Sequence, residues 1–183
     1  MPIPNFDHNN VIPPFVGMPT NPNDISPYLC SIVEFCNHFA TSPQRIDILK
    51  RFLEFRGLLN QYGIIQGFHW LDGSFSENIE TTENRAPNDL DLVTFFGGLD
   101  QQQFVNIQQN FEPFFNPSLS KQIFKLDHYP VDFCYDPYVT VESTRYWIQL
   151  FSHNRHKIWK GILRIELNTP TEDLYALNYL NSL

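Results

Sequence analysis

The segment QGFHWLDGSF, residues 66–75, and the segment PNDLDLVTFF, residues 87–96, decide the fold of this chain. Both contain apolar and aromatic runs of the length that is typical of buried strands. Because side chains two residues apart on a strand point to the same side, Asp89 and Asp91 are expected to share one face of a sheet. Two like charges so close together repel each other unless a cation lies between them. The pair therefore indicates a cation site.

A third carboxylate follows in a later apolar run, Val131–Tyr135, whose alternation predicts a strand that carries Asp132. If that strand neighbours the one with Asp89 and Asp91, the three carboxylates meet. Hard oxygen ligands suit Mg²⁺ or Mn²⁺, which complete their coordination with water and substrate phosphates. We therefore predict a divalent-cation site at Asp89, Asp91 and Asp132, with a nucleotide as substrate. The alternative is strand-edge polarity beside a turn, with Asp132 capped or salt-bridged near a loop.

Gly73 and Ser74 directly follow the first predicted strand. A glycine at this place lets backbone N–H groups approach an anion, and the serine hydroxyl adds a hydrogen-bond donor. The two residues therefore predict a phosphate-binding turn close to the carboxylates.

Five of the chain's 12 basic residues lie between residues 145 and 164, in a window without Asp or Glu. Arg155, Lys157 and Lys160 are predicted to neutralise the triphosphate or pyrophosphate of a bound nucleotide. The alternation of residues 157–165 is expected to bury Trp159 and to turn Lys160 to the opposite side. The alternative for each of these basic residues is an ordinary solvated surface position.

Composition limits the class of protein. The chain has 183 residues, 42% of them hydrophobic, which is enough for one domain with a sizeable core. A formal net charge of −8 argues against an extensive nucleic-acid surface and against binding to anionic membranes. No apolar run approaches the roughly 18 residues of a membrane span, and no signal peptide is recognised, so a cytoplasmic location is expected. The three cysteines lack metal-binding spacing and are interpreted as reduced structural thiols.

The organisation of the chain predicts its fold class. Residues 1–26, rich in Pro and Asn, are predicted to form an N-terminal arm, and residues 27–183 a single domain. Ser-Pro pairs at 26–27 and 42–43 predict the starts of two helices. Helical and strand-like segments then alternate, with a short strand expected near residues 122–126. We therefore expect an α/β (α+β) fold, a small mixed sheet with helices on one face and the carboxylates on the other, open face.

In their order, Gly73, Ser74, Asp89, Asp91 and Asp132 resemble the signature of the DNA polymerase β-like nucleotidyltransferase superfamily. That signature is an apolar residue, Gly-Ser, a gap, Asp-x-Asp, and a later strand with a third acid. The wider segments quoted above, together with IPPF at residues 12–15, look like a poorly characterised bacterial family of this superfamily, of toxin-antitoxin or phage-defence type. The resemblance implies a nucleotidyltransferase fold.

The resemblance also implies an activity, namely metal-dependent transfer of an NMP from an NTP such as ATP to a hydroxyl of a protein, an RNA or a small molecule. Mg²⁺ or Mn²⁺ is the implied cofactor. The main alternative is a catalytically weak or inactive member that binds a partner protein, as an antitoxin does. A glycosyltransferase, in which Asp-x-Asp also holds a metal, is the third alternative, but it requires a nucleotide-binding half upstream of the motif. This sequence has two predicted helices and a proline-rich arm there.

Overall fold

The structure, a computed structural model, describes residues 3–183, so the first two residues of the predicted N-terminal arm lie outside the described range. Within that range seven α-helices and five strands form a mixed α/β fold. In chain order the elements are β1 Tyr28–Leu29, α1 Ile32–Phe39, α2 Pro43–Gln61, β2 Gln66–Asp72, α3 Ile79–Glu83, β3 Leu90–Gly97, α4 Gln101–Asn110, α5 Pro117–Phe124, β4 Leu126–Asp132, α6 Pro137–Phe151, β5 Leu163–Glu166 and α7 Pro170–Asn181. Across the described residues, no helix has both the length and the apolar character that a bilayer crossing requires.

The five strands form one mixed sheet in the order β1-β5-β2-β3-β4. Strand β2 lies antiparallel to both β3 and β5, whereas β4 runs parallel to β3 and β1 runs parallel to β5. The crossover from β3 to β4 contains α4 and α5, as a parallel connection requires. The prediction of a mixed sheet in an α/β fold is confirmed.

Alternation along the strands separates the two faces of the sheet. The first face carries Leu71, Leu92 and Ile165, which belong to the main core together with buried residues of α1, α2 and α7. The second face carries Trp70 and Val93. These join a smaller apolar cluster that includes Trp147 and Phe151 of α6. The expectation that one face is open is therefore wrong, because α6 covers part of the second face.

Two boundary predictions are also wrong. The first helix begins at Ile32 rather than at Pro27, because Ser31 supplies the N-cap and forms a capping box with Glu34. Residues 122–124, expected in a strand, end helix α5. The second predicted helix is confirmed as α2, with Ser42 at its N-cap.

A chain of polar side chains crosses the core on the first face. The Nδ1 atom of His69 lies 2.9 Å from Oγ1 of Thr94, which lies 2.8 Å from Nε2 of His128. All three residues are buried. Burial lowers the pKa of both histidines, that of His128 to about 3, so the two rings are neutral in the folded protein.

Part of the N-terminal arm is packed into the domain, whereas residues 16–23 of the arm are exposed. Val11 and Ile12 are buried. Val11 forms an isolated β-bridge with Glu77, and the carbonyl oxygen of Ile12 accepts a hydrogen bond of 2.7 Å from the amide of Gly161. The arm thus joins the segment after β2 to the segment before β5.

Candidate functional site

Three aspartates stand side by side on neighbouring strands. Asp91 of β3 is in register with Asp72 of β2 on one side and with Asp127 of β4 on the other. Residues that are paired in register on adjacent strands project to the same face, and their strands lie about 4.8 Å apart. The three carboxylates therefore form a row across one end of the second face.

Asp132 is not part of this row, and its predicted place beside Asp89 and Asp91 is corrected here. It pairs with Phe96, five residues beyond the pairing of Asp91 with Asp127, which is about 17 Å along the strand at about 3.3 Å per residue. An offset of five residues also turns the side chain to the opposite face. Asp132 instead accepts a hydrogen bond of 2.8 Å from the amide of Cys134.

Asp127 takes the position that was predicted for Asp132, because β4 begins at Leu126 and not at Val131. The sequence contains a signal for this residue. In both β3 and β4 an aspartate follows a buried leucine at the first strand position, as Leu90-Asp91 and Leu126-Asp127. Two parallel strands that start with the same pattern bring those aspartates together.

Asp89 lies just before β3 and is held by a lysine from helix α5. Lys121 Nζ is 2.5 Å from Asp89 Oδ2 and 3.6 Å from Asp127 Oδ2. Burial, followed by the charges of Asp89 and Asp127, raises the pKa of Asp91 to about 6. The carboxylates of Asp89, Asp91 and Asp127 therefore carry more negative charge than the one nearby ammonium group, that of Lys121, neutralises.

Gly73 connects the end of β2 to the carboxylate row. It has a φ of +76°, and a Cβ atom at this position would overlap the Asp91 carboxylate. A glycine is required here both by the backbone conformation and by the approach of Asp91. Ser74 then begins a 3₁₀ turn and lines the cleft next to the carboxylates. The predicted proximity of Gly73 and Ser74 to Asp91 is therefore seen in the structure.

Lys160 is buried beneath this turn. Its ammonium group lies 3.0 Å from Asp72 Oδ1 and 2.7 Å from Glu77 Oε1, and it donates a hydrogen bond of 2.9 Å to the carbonyl oxygen of Gly73. Burial alone would lower the pKa of Lys160, but the charges of Asp72 and Glu77 outweigh it and raise that pKa. Burial raises the pKa of Asp72 to about 7, although the charge of Lys160 opposes the rise. Lys160 thus holds the turn and is not exposed for a phosphate.

The other basic candidates divide between the cleft and its surroundings. Arg155 is exposed and lines the cleft, and it makes no ion pair within the described residues. Lys157 does not line the cleft and has a φ of +62° in an exposed turn. Trp159, which was expected to be buried, is half exposed, because β5 begins only at Leu163 and the alternation does not extend back to residue 157. Arg85 also lines the cleft but pairs with Glu83 at 2.7 Å.

The carboxylate row, the turn at Gly73 and Ser74, and Arg155 line a cleft of about 240 Å³. A second cavity, of about 270 Å³, shares Asp91 and Asp127 with it and is otherwise walled by aromatic and aliphatic side chains. As the side chains stand, with Lys121 among the carboxylates, no group of three His, Cys, Asp or Glu residues between residues 3 and 183 is placed to hold a metal ion.

Comparison with known proteins identifies a family for this chain. No curated protein and no solved structure matches the chain significantly. A family model described as a family of unknown function, DUF6932, matches residues 4–166 and so covers most of the chain, including the whole carboxylate row and the turn at Gly73. The chain therefore belongs to the family DUF6932.

Proposed function

We propose that the cleft binds a nucleoside triphosphate with a divalent cation and transfers the nucleoside monophosphate to a hydroxyl group. One observation carries the proposal. The Gly73-Ser74 turn abuts Asp91, which stands in register beside Asp127. This arrangement supplies an anion-binding turn and hard oxygen ligands at one place, and it agrees with the nucleotidyltransferase resemblance once Asp127 is taken as the third acid.

The chemistry of the donor set suits Mg²⁺ or Mn²⁺. Asp89, Asp91 and Asp127 all line the cleft, and the raised pKa of Asp91 reflects burial first and then repulsion from Asp89 and Asp127. These three residues would hold the cation. The cation would replace the Lys121 ammonium group beside Asp89. When bound, a divalent cation neutralises phosphate charge and lowers the pKa of an attacking hydroxyl.

The remaining residues bind and orient the phosphates. The Ser74 hydroxyl makes no hydrogen bond within residues 3–183 and lines the cleft, so it is available to donate to a terminal phosphate oxygen. Arg155 at the rim supplies a guanidinium group that matches phosphate oxygens. Lys160 keeps the turn in place through the Gly73 carbonyl. In-line attack by the acceptor hydroxyl on the α-phosphorus then forms the new ester bond and breaks the bond to pyrophosphate, which leaves, while the hydroxyl proton passes to solvent.

The experiment is transfer of label from an α-³²P-labelled NTP with Mg²⁺, using cell lysate as the source of acceptors. We expect labelling by the parent protein and its loss in Asp91→Asn and Asp127→Asn. Asp132→Asn is the matched control, since Asp132 lies on the same strand as Asp127 but on the other face, and it should label at the parent rate. Equal loss of label in Asp127→Asn and Asp132→Asn would refute the assignment of the third acid.

A second candidate function rests on the Lys121 ion pair. Because Lys121 already neutralises Asp89, the fold is also consistent with an inactive, partner-binding member that needs no cation. Such a protein would bind neither Mg²⁺ nor NTP in calorimetry. It would retain its partner after Asp91→Asn, whereas the enzyme would lose nucleotide binding.

A further inference from the structure

The second cavity has an aromatic wall that the proposed phosphate chemistry does not use. Tyr129 on β4 and Tyr146 and Trp147 on α6 form this wall. The cavity also contacts Asp91 and Asp127, so it opens from the same carboxylates as the polar cleft. Leu150 and Phe151 line both spaces. The two cavities are therefore two lobes that meet at the carboxylate row.

The aromatic wall is held in place by its own packing. The Trp147 ring lies 5.0 Å from the Tyr129 ring and 5.1 Å from the Tyr146 ring, measured between centroids, and 5.2 Å from that of Phe151. Trp147 is only 8% exposed, whereas Tyr129 is 37% and Tyr146 53% exposed. The inner ring is thus fixed by its neighbours, and the two tyrosines present ring surface to solvent and to a ligand.

The polar groups of this lobe are few. Among the described residues that line it there is no Asn, Gln, Ser, Thr, Lys or Arg, and its side-chain polar atoms are two phenol hydroxyls, the indole N–H and the two shared carboxylates. A lobe of this kind offers flat apolar surface but few hydrogen-bond donors and acceptors that could distinguish one base from another by its edge. It therefore suits a planar ring bound by stacking.

The two lobes together match the two parts of one molecule. The lobe with Ser74 and Arg155 suits an anionic chain, and the aromatic lobe suits a planar base, with Asp91 and Asp127 where the two parts join. We infer, on the basis of the proposed function, that the aromatic lobe holds the base of the nucleotide by stacking on Tyr146, the more exposed of its two tyrosine rings. Because stacking surface and not edge contacts selects the base, the site takes purine nucleotides in preference to pyrimidine nucleotides and treats ATP and GTP alike.

The experiment measures binding of Mg²⁺·ATP, Mg²⁺·GTP, Mg²⁺·UTP and Mg²⁺·tripolyphosphate by calorimetry. Tripolyphosphate is the probe that lacks a base. We expect the parent protein to bind ATP and GTP with affinities within about threefold of each other, and both roughly tenfold more tightly than tripolyphosphate, the ratio that loss of one stacking contact of about 1.4 kcal/mol gives. UTP should fall between the purine nucleotides and tripolyphosphate.

Two variants of Tyr146 measure how much its aromatic ring contributes to nucleotide binding. Tyr146→Ala should bring ATP affinity close to that of tripolyphosphate and leave tripolyphosphate binding unchanged, and Tyr146→Phe should retain ATP affinity. Tyr138→Ala is the matched control, since Tyr138 lies on the same helix, is 75% exposed and does not line the lobe. Because Tyr146 is half exposed, its truncation should leave the fold intact, which circular dichroism checks.

The outcomes separate this inference from the function on which it rests. If the parent protein binds neither ATP nor tripolyphosphate, the proposed function fails and the base site fails with it. If the parent protein binds ATP and tripolyphosphate equally, or if Tyr146→Ala leaves ATP affinity unchanged, only the base site is overturned. The aromatic lobe would then be free for the molecule that receives the nucleoside monophosphate. A preference of tenfold or more between ATP and GTP would overturn recognition by stacking.

Discussion

Lys160 donates a hydrogen bond to the carbonyl oxygen of Gly73 across 87 positions of sequence, and the two atoms are 2.9 Å apart. The same ammonium group pairs with Asp72 and Glu77, on either side of the turn. A single buried cation therefore fixes both ends of the segment that we propose to bind phosphate. The stability of the domain and the shape of the cleft depend on the same side chain.

Lys160→Met should lower the free energy of unfolding by about 3–5 kcal/mol, because it leaves the Asp72 and Glu77 carboxylates without their buried partner. Urea denaturation measures the change. Arg145→Met is the control, since Arg145 and Glu142 form an exposed pair whose loss should cost less than about 1 kcal/mol. Similar losses in the two variants would contradict the role given to Lys160.

Lys121→Gln should tighten the binding of Mn²⁺ in the absence of nucleotide by roughly tenfold, because it removes the positive charge that competes for Asp89 and Asp127. Free Mn²⁺ is followed by electron paramagnetic resonance. Lys125→Gln is the matched control, since Lys125 directly follows the same helix and pairs with Asp47 instead. An unchanged Mn²⁺ affinity in Lys121→Gln would mean that the carboxylates do not form the cation site.

Gly73→Ala should abolish nucleotide transfer and lower the free energy of unfolding by about 1–3 kcal/mol. The added Cβ meets the Asp91 carboxylate, and the φ of +76° is unfavourable for alanine. Gly57→Ala provides the contrast within α2, where an added Cβ meets nothing within 4 Å. It should stabilise the protein by about 0.5–1 kcal/mol. Full activity of Gly73→Ala would rule out close packing of the turn on Asp91.

The buried His128 should make stability fall as the medium is acidified. Its pKa is about 3 in the folded protein against about 6.5 when unfolded, so the unfolded chain takes up the proton first and the stabilisation present above pH 6.5 is lost progressively towards pH 3. Between pH 7 and pH 5 the loss from this group is about 2 kcal/mol.

Asp72 and Asp91 act in the opposite sense over the same range, because their raised pKa values let the folded state take up protons first. The quantity to measure is therefore the difference between the parent protein and His128→Gln in urea denaturation at pH 7 and pH 5. The parent should lose about 2 kcal/mol more than the variant. His153→Gln, at an exposed position, should behave as the parent does.

Local patterns predicted the elements whose signals are contained in neighbouring residues. Helix α2 follows from Ser42-Pro43, and β2 and β3 follow from their apolar runs. Helix α5 carries a similar signal, because Asn116 caps it and Pro117 occupies its first turn. The strand expected near residues 122–126 lies instead mostly in this helix, and β4 begins at Leu126, so that Asp127 and not Asp132 lies beside Asp91.

The carboxylate row could not be predicted in the same way, because it depends on pairing between residues far apart in sequence. No residue pattern near Asp127 indicates that β4 lies parallel to β3 with Asp127 opposite Asp91. The burial of Lys160 likewise depends on Asp72, which is remote in sequence. Gly73, Ser74, Asp89 and Asp91 were predictable as a group because they lie in one turn and at the start of one strand, with Asp89 directly before it.

The attachment of the N-terminal arm bears on how this protein is handled in the laboratory. Val11 bridges Glu77 and Ile12 binds Gly161, so residues 11–12 tie down the segments on both sides of the Lys160 ion pairs without lining the cleft themselves. Trimming the chain ahead of the first strand would release two walls of the cleft together. A shortened form of the protein that is meant to keep the cleft must therefore retain residues 11–12.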